Sequence, residues 1–126
     1  MVPALRPWAA AMGYCRAVRL GDVIEVSGTV ASTPDGSVVA PQDAYLQTKD
    51  VLQTIGKALV ELGASFSDVV RTRVFLTDIS TWRDVGRAHH EVFGEILPAS
   101  TVVEVAALLD PQHMVEIEAT AITDKK

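Results

Sequence analysis

Two segments near the C-terminal end limit what this chain can become. Leu97-Pro98-Ala99-Ser100-Thr101-Val102-Val103-Glu104-Val105 runs into a turn at Asp110-Pro111, and Met114-Val115-Glu116-Ile117-Glu118-Ala119-Thr120-Ala121-Ile122 follows. Both read as strands with period two, charges alternating with apolar residues. Carboxylates on an otherwise well-formed strand are costly to bury unless they have partners. Their placement therefore points to a site on one face of a sheet.

The rest of the chain supplies the other layers. Tyr14–Leu20 and Asp22–Ser27 read as strands parted by the turn signal Gly21-Asp22, and residues 1–12, with two prolines, read as irregular. Thr33–Ser37 is a loop by its turn residues. Asp43 is placed to cap a long helix. Ala44, Thr48, Val51, Leu52, Ile55, Leu59 and Leu62 form one face of it, and Gly63 ends it in the left-handed conformation. Val69–Thr77 is a third strand. Thr81 and Asp84 resemble a capping box for a second helix that runs to about Ile96, with Pro98 as its limit. The order is β-β-α-β-α-β-β, an α+β arrangement in which two helices cover one face of a mixed sheet. Each half pairs strands with one helix, which hints at a duplicated unit. A single domain over residues 1–126 is expected.

Alternation sorts the faces. Val70, Thr72, Val74 and Leu76 are expected to face the helices, as are Val103, Val105, Val115, Ile117, Ala119 and Ala121. Arg71, Arg73, Phe75, Ser100, Val102, Glu104, Glu116 and Glu118 are expected on the other face, and Glu25 shares one side with Ser27. Such a mixed, half-polar face with long edges invites self-association, with clefts between copies.

Composition closes several alternatives. A net charge of −5, with arginines scattered and no basic run beyond the two terminal lysines, argues against a nucleic-acid partner. No apolar stretch approaches membrane-spanning length, and Met1–Trp8 holds no apolar core of a secretory signal. The single cysteine, Cys15, fits a reducing, cytoplasmic setting and reads as a packing residue. No CxxC pair or His/Cys cluster points to a structural metal. His89-His90-Glu91 lacks metal spacing, since adjacent helical residues point roughly 100° apart. His89 lies on the apolar face of the second helix as a satisfied core or interface residue. His113, in a turn, is expected to be exposed.

From Tyr14 to Thr123 the chain resembles the reactive-intermediate deaminase (Rid, YjgF-like) family, once labelled endoribonuclease L-PSP or translation inhibitor. The resemblance is carried by Leu20-Gly21-Asp22-Val23-Ile24-Glu25-Val26-Ser27-Gly28, by Val69–Asp78, by Pro98-Ala99-Ser100-Thr101-Val102-Val103-Glu104-Val105 and by Val115-Glu116-Ile117-Glu118-Ala119, in that order and spacing. It implies a chorismate-mutase-like fold and a homotrimer with ligand clefts between subunits. It also implies hydrolysis of enamine or imine intermediates to 2-keto acids and ammonia, with no metal or cofactor of the protein's own.

Carried over by position, Tyr14, Ser27 and Gly28 match cleft residues of the family, and Thr29 stands where glutamine is common. Glu118 matches the glutamate that positions water or a protonated nitrogen. Ser100 stands where the deaminases hold an arginine that grips the substrate carboxylate, and Val102 where cysteine is frequent. Gly86 and His89 replace the common Asn and Tyr. A serine hydroxyl cannot copy a charged, bidentate guanidinium. The resemblance thus implies an atypical member with weak or absent activity on ordinary 2-imino acids. Arg71 or Arg73 could stand in for the missing cation, or pair with Glu116 or Glu118 instead. A non-catalytic small-ligand-binding trimer is the main rival reading. A ribonuclease or translation inhibitor is disfavoured by the acidity.

Overall fold

A computed structural model describes residues 1–124; Lys125 and Lys126 lie outside it. A short helix, α1 (Pro7–Met12), precedes the hairpin β1 (Ala17–Leu20) and β2 (Val23–Val30). Then come α2 (Ala44–Glu61), β3 (Val69–Leu76), α3 (Trp82–Phe93), β4 (Ala99–Glu104) and β5 (Val115–Ile122). The sheet runs β1-β2-β5-β3-β4, antiparallel throughout except for β3 and β4, which are parallel and joined through α3. The α+β architecture and the two helices over one sheet face are as the periodicity predicts. Among the described residues no helix is long and apolar enough to cross a membrane.

The covered face is apolar. Ile24 and Val26 of β2, Val74 and Leu76 of β3, and Val115, Ile117, Ala119 and Ala121 of β5 are buried against Val51, Leu52, Ile55 and Leu59 of α2 and Val85 and Phe93 of α3. The Asp43 carboxylate accepts from the Leu46 N–H at 2.9 Å, satisfying one of the free donors at the start of α2. Gly63, at φ +83°, turns the chain out of it.

Several expectations fail for local reasons. The N-terminal residues are not irregular: Pro7 opens α1, Gly13 closes it at φ +82°, and Val2 pairs with Ala17. The first strand begins at Ala17, not Tyr14. Thr81 and Asp84 form no capping box, because the chain enters α3 through a 3₁₀ turn at Ile79–Thr81. The Thr81 hydroxyl instead turns back to donate to the Asp78 carbonyl at 2.7 Å. The helix ends at Phe93 rather than Ile96. An irregularity between Val69 and Arg71 swings Val70 out, 39% exposed, and buries Val69 in its place.

Two corrections bear on function. Ser100 and Val102 lie on the helix side of the sheet, not with Glu118. In the parallel register Ser100 sits beside Thr72 and Val102 beside Val74, both of which face the helices. Alternation could not report this, because β4 is an edge strand exposed along its whole length. His113 is not exposed but fully buried, edge-on to Trp8 with 6.4 Å between ring centroids. The short helix α1 lays the indole over it.

Candidate functional site

The open face of the sheet carries the charges. Arg73 of β3 and Glu118 of β5 are direct cross-strand partners, and Arg73 Nη1 lies 3.5 Å from Glu118 Oε1. Beside them is a cleft of about 230 Å³, lined by Cys15, Val18, Glu25, Val26, Ser27, Arg73, Glu118 and Ala119. Glu25 is itself held, its carboxylate accepting from the Thr120 hydroxyl. Among the lining residues two carboxylates face one guanidinium. A broader hollow of about 560 Å³ adjoins this cleft. It shares Cys15, Val18 and Ser27 and adds Tyr14, Met1 and the end of α1.

A break in the β2–β5 register at Ser27-Gly28 shapes the floor. The Ser27 hydroxyl donates to the Cys15 carbonyl at 2.7 Å, tying the strand to the segment that carries Tyr14. At Gly28 a β-carbon would meet the Glu116 carboxylate as it lies here, so a side chain there would displace it. Burial first, then Glu118, pushes the Glu116 carboxyl above its ordinary pKa, while Arg16 opposes the rise. Arg16 is buried under the floor and donates to the Thr29 hydroxyl at 2.9 Å. Burial, then Arg6, lowers its pKa. Thr29 is itself buried and donates to the Ser27 carbonyl at 2.9 Å. It braces Arg16 and is not presented to the cleft.

The structure thus brings Ser27, Glu118 and the hollow beside Tyr14 together on one face, with Gly28 and Thr29 beneath. Ser100 and Val102 stand apart on the opposite side. Cys15, read as packing, lines the cleft, and so do Glu25 and Arg73. Glu25 shared a side with Ser27 in the alternation, which was the available signal. Cys15 left none, because it precedes the first strand.

At the far edge a neutral chain of hydrogen bonds joins three elements. His89 Nε2 of α3 is 2.9 Å from Thr72 Oγ1 of β3, which is 2.8 Å from Ser100 Oγ of β4. The imidazole packs on Phe93 at 4.6 Å. Burial, then the neighbouring His90, lowers the His89 pKa.

A family model described as endoribonuclease L-PSP matches residues 4–123 of the chain. The chain belongs to this family, also known as Rid or YjgF. Among solved family structures, the Mycobacterium tuberculosis protein Rv2704, of the YjgF/YER057c/UK114 family, superposes with a TM-score of 0.88. It is 45% identical, with 98% of each chain covered. The 2-iminobutanoate/2-iminopropanoate deaminase of Mus musculus is 34% identical over 114 residues, 90% of this chain and 84% of that protein. The family's 3-aminoacrylate deaminase RutC from Acinetobacter baylyi is 32% identical over 108 residues, 86% of this chain and 85% of that protein.

Proposed function

We propose that this family member is a hydrolytic deaminase of a small imine or enamine, working in clefts between copies of the chain. The observation that carries this reading is the Glu118 carboxylate in the open-face cleft, fixed through Oε1 by Arg73 and flanked by Ser27. Glu118 directs a water at the C=N carbon, or holds the protonated nitrogen. Addition of water across C=N gives a carbinolamine. Cleavage of its C–N bond releases ammonia and leaves the carbonyl product, so one imine and one water give one carbonyl compound and one ammonia. Tyr14, Ser27 and Gly28 shape one wall. Ser100 and Val102 of a second copy supply the other.

The placement of Ser100 and Glu118 supports an assembly of copies. In one copy Ser100 and Glu118 are on opposite faces of the same sheet, so a cleft containing both needs two copies. The unpaired edge of β4 is free to approach the open face of a neighbour. A homotrimer closes that contact. Sedimentation at low concentration is expected to give three times the 13.5 kDa chain mass, and a single-chain mass would remove the cleft.

Ser100 sets the activity. Charge-assisted hydrogen bonds contribute about 1.5–3 kcal/mol against about 1 for a neutral one, so a serine forfeits much of the grip on a substrate carboxylate. Ammonia release from 2-iminopropionate and 2-iminobutyrate is expected to be weak or absent. S100R is expected to raise kcat/KM on these acids by about tenfold or more, and Glu118→Gln to remove what S100R adds. Wild-type turnover comparable to that of an arginine-bearing relative would overturn the weight placed on Ser100. A ligand that stabilises the protein and is never consumed would favour the non-catalytic binder.

A further inference from the structure

The His89–Thr72–Ser100 chain has a property that neither end has alone. Thr72 is fully buried, and its hydroxyl carries one proton between two neighbours. It donates to Ser100, and so accepts from His89 Nε2–H. The chain thus runs from His89 through Thr72 to Ser100, and the Ser100 proton points outward. A neutral imidazole protonated at Nε2 supplies the first donor, and burial favours the neutral ring. The ring is held in place by Phe93, with Leu97 and Pro98 closing the small cavity of about 220 Å³ beside it.

We propose that His89 and Thr72 are positioning residues for the Ser100 hydroxyl, and that this three-member chain selects an uncharged polar group of the ligand, a carboxamide or hydroxyl, over a carboxylate. The inference rests on the reading that Ser100 belongs to the ligand cleft. With Thr72 donating to it, the Ser100 hydroxyl keeps its own proton to donate and a lone pair to accept with. A carboxamide meets both through its carbonyl and its N–H, whereas a carboxylate only accepts and brings a charge that a hydroxyl cannot offset. The open-face cleft reinforces the choice, because its lining already sets Glu25 and Glu118 against Arg73. A third carboxylate there meets net repulsion.

The test compares pyruvamide with pyruvate, the uncharged and charged forms of one 2-oxo skeleton, as probes in NMR titrations of the full chain. Imidazole nitrogen shifts report the His89 tautomer. Wild-type protein is expected to bind pyruvamide at least about tenfold more tightly than pyruvate, with the His89 nitrogen signals moving on binding. Ser100→Ala, on an exposed strand, and Thr72→Val are each expected to reduce that preference to within about twofold. H89L is expected to do the same, whereas H89Q, whose amide both donates and accepts, is expected to keep it. S100R is expected to invert it. Equal binding of the two probes by wild type overturns the inference and leaves the cleft in place. A preference that survives both Thr72→Val and H89L also overturns it, since Ser100 would then act alone. If neither probe perturbs Ser100 or Glu118, the cleft reading falls and the inference falls with it.

Discussion

The two faces of the sheet are built on opposite terms. Under the helices, the side chains of Ile117 and its inward neighbours on β5 are shut from solvent and make apolar contacts only. One residue away on the same strand, Glu118 is half-buried, paired to Arg73 and open to a cleft. Alternation thus places structural and chemical duties side by side without mixing them. On this strand, stability should be almost wholly a property of one side, and ligand contact of the other.

The sharpest way to break that contrast is to alter adjacent residues. Ile117→Ala leaves a void among fully buried side chains and is expected to cost about 2–5 kcal/mol in urea unfolding. Glu118→Gln, next to it, is expected to cost under about 1 kcal/mol, because an ion pair this exposed is largely screened. Similar losses for the two would erase the division between the faces.

A second prediction concerns His113, a polar group on the packed side. Among the described residues neither ring nitrogen makes a hydrogen bond of good geometry, and burial lowers its pKa from the ordinary 6.5, with Asp110 and then the nearby Ala31 backbone opposing. The unfolded chain therefore takes up a proton first as pH falls. Stability contributed by the neutral ring is complete above the unfolded value and declines below about 6.5 as pH falls toward the folded one. His89, also lowered, adds to the decline, and Glu116, raised, opposes it at more acidic pH. Urea unfolding between about pH 7.5 and pH 5.5 is expected to show a loss that His113→Phe reduces by at most about 1.4 kcal/mol per pH unit. An unchanged slope in that variant would show that His113 contributes nothing to it.

The smallest effect tests the open face itself. A double-mutant cycle on Arg73→Ala and Glu118→Ala is expected to return a coupling of about 0.2–1 kcal/mol that shrinks with added salt. A coupling of several kcal/mol, insensitive to salt, would mean that the pair behaves as buried.

How far the sequence reached follows the same division. Periodicity was legible wherever one face is buried, so the inward residues of β5, those of β3 from Thr72 onward, and the apolar stripe of α2 were all identified correctly. It was illegible at β4, where Val102 and Val103 are both exposed and parity carries no signal. Ser100 was therefore assigned to the wrong side. Glu118 was placed on the open face, and Glu25 on one side with Ser27, because charge and hydroxyl interrupt strong strands. Burial of His113 depends on Trp8 arriving from α1, a long-range contact that no local pattern encodes.

Among the described residues, the strand that bears Ser100 is also paired on one side only, with β3, and carries the exposed Val102 and Val103 beside its free margin. Protein engineering there will be double-edged. A change at position 100 or 102 chosen to retune ligand preference will also alter how readily molecules adhere through that margin. A bulkier β-branched residue invites precipitation on storage, and a lysine discourages it. Variants should be ranked by shelf behaviour as well as by what they bind.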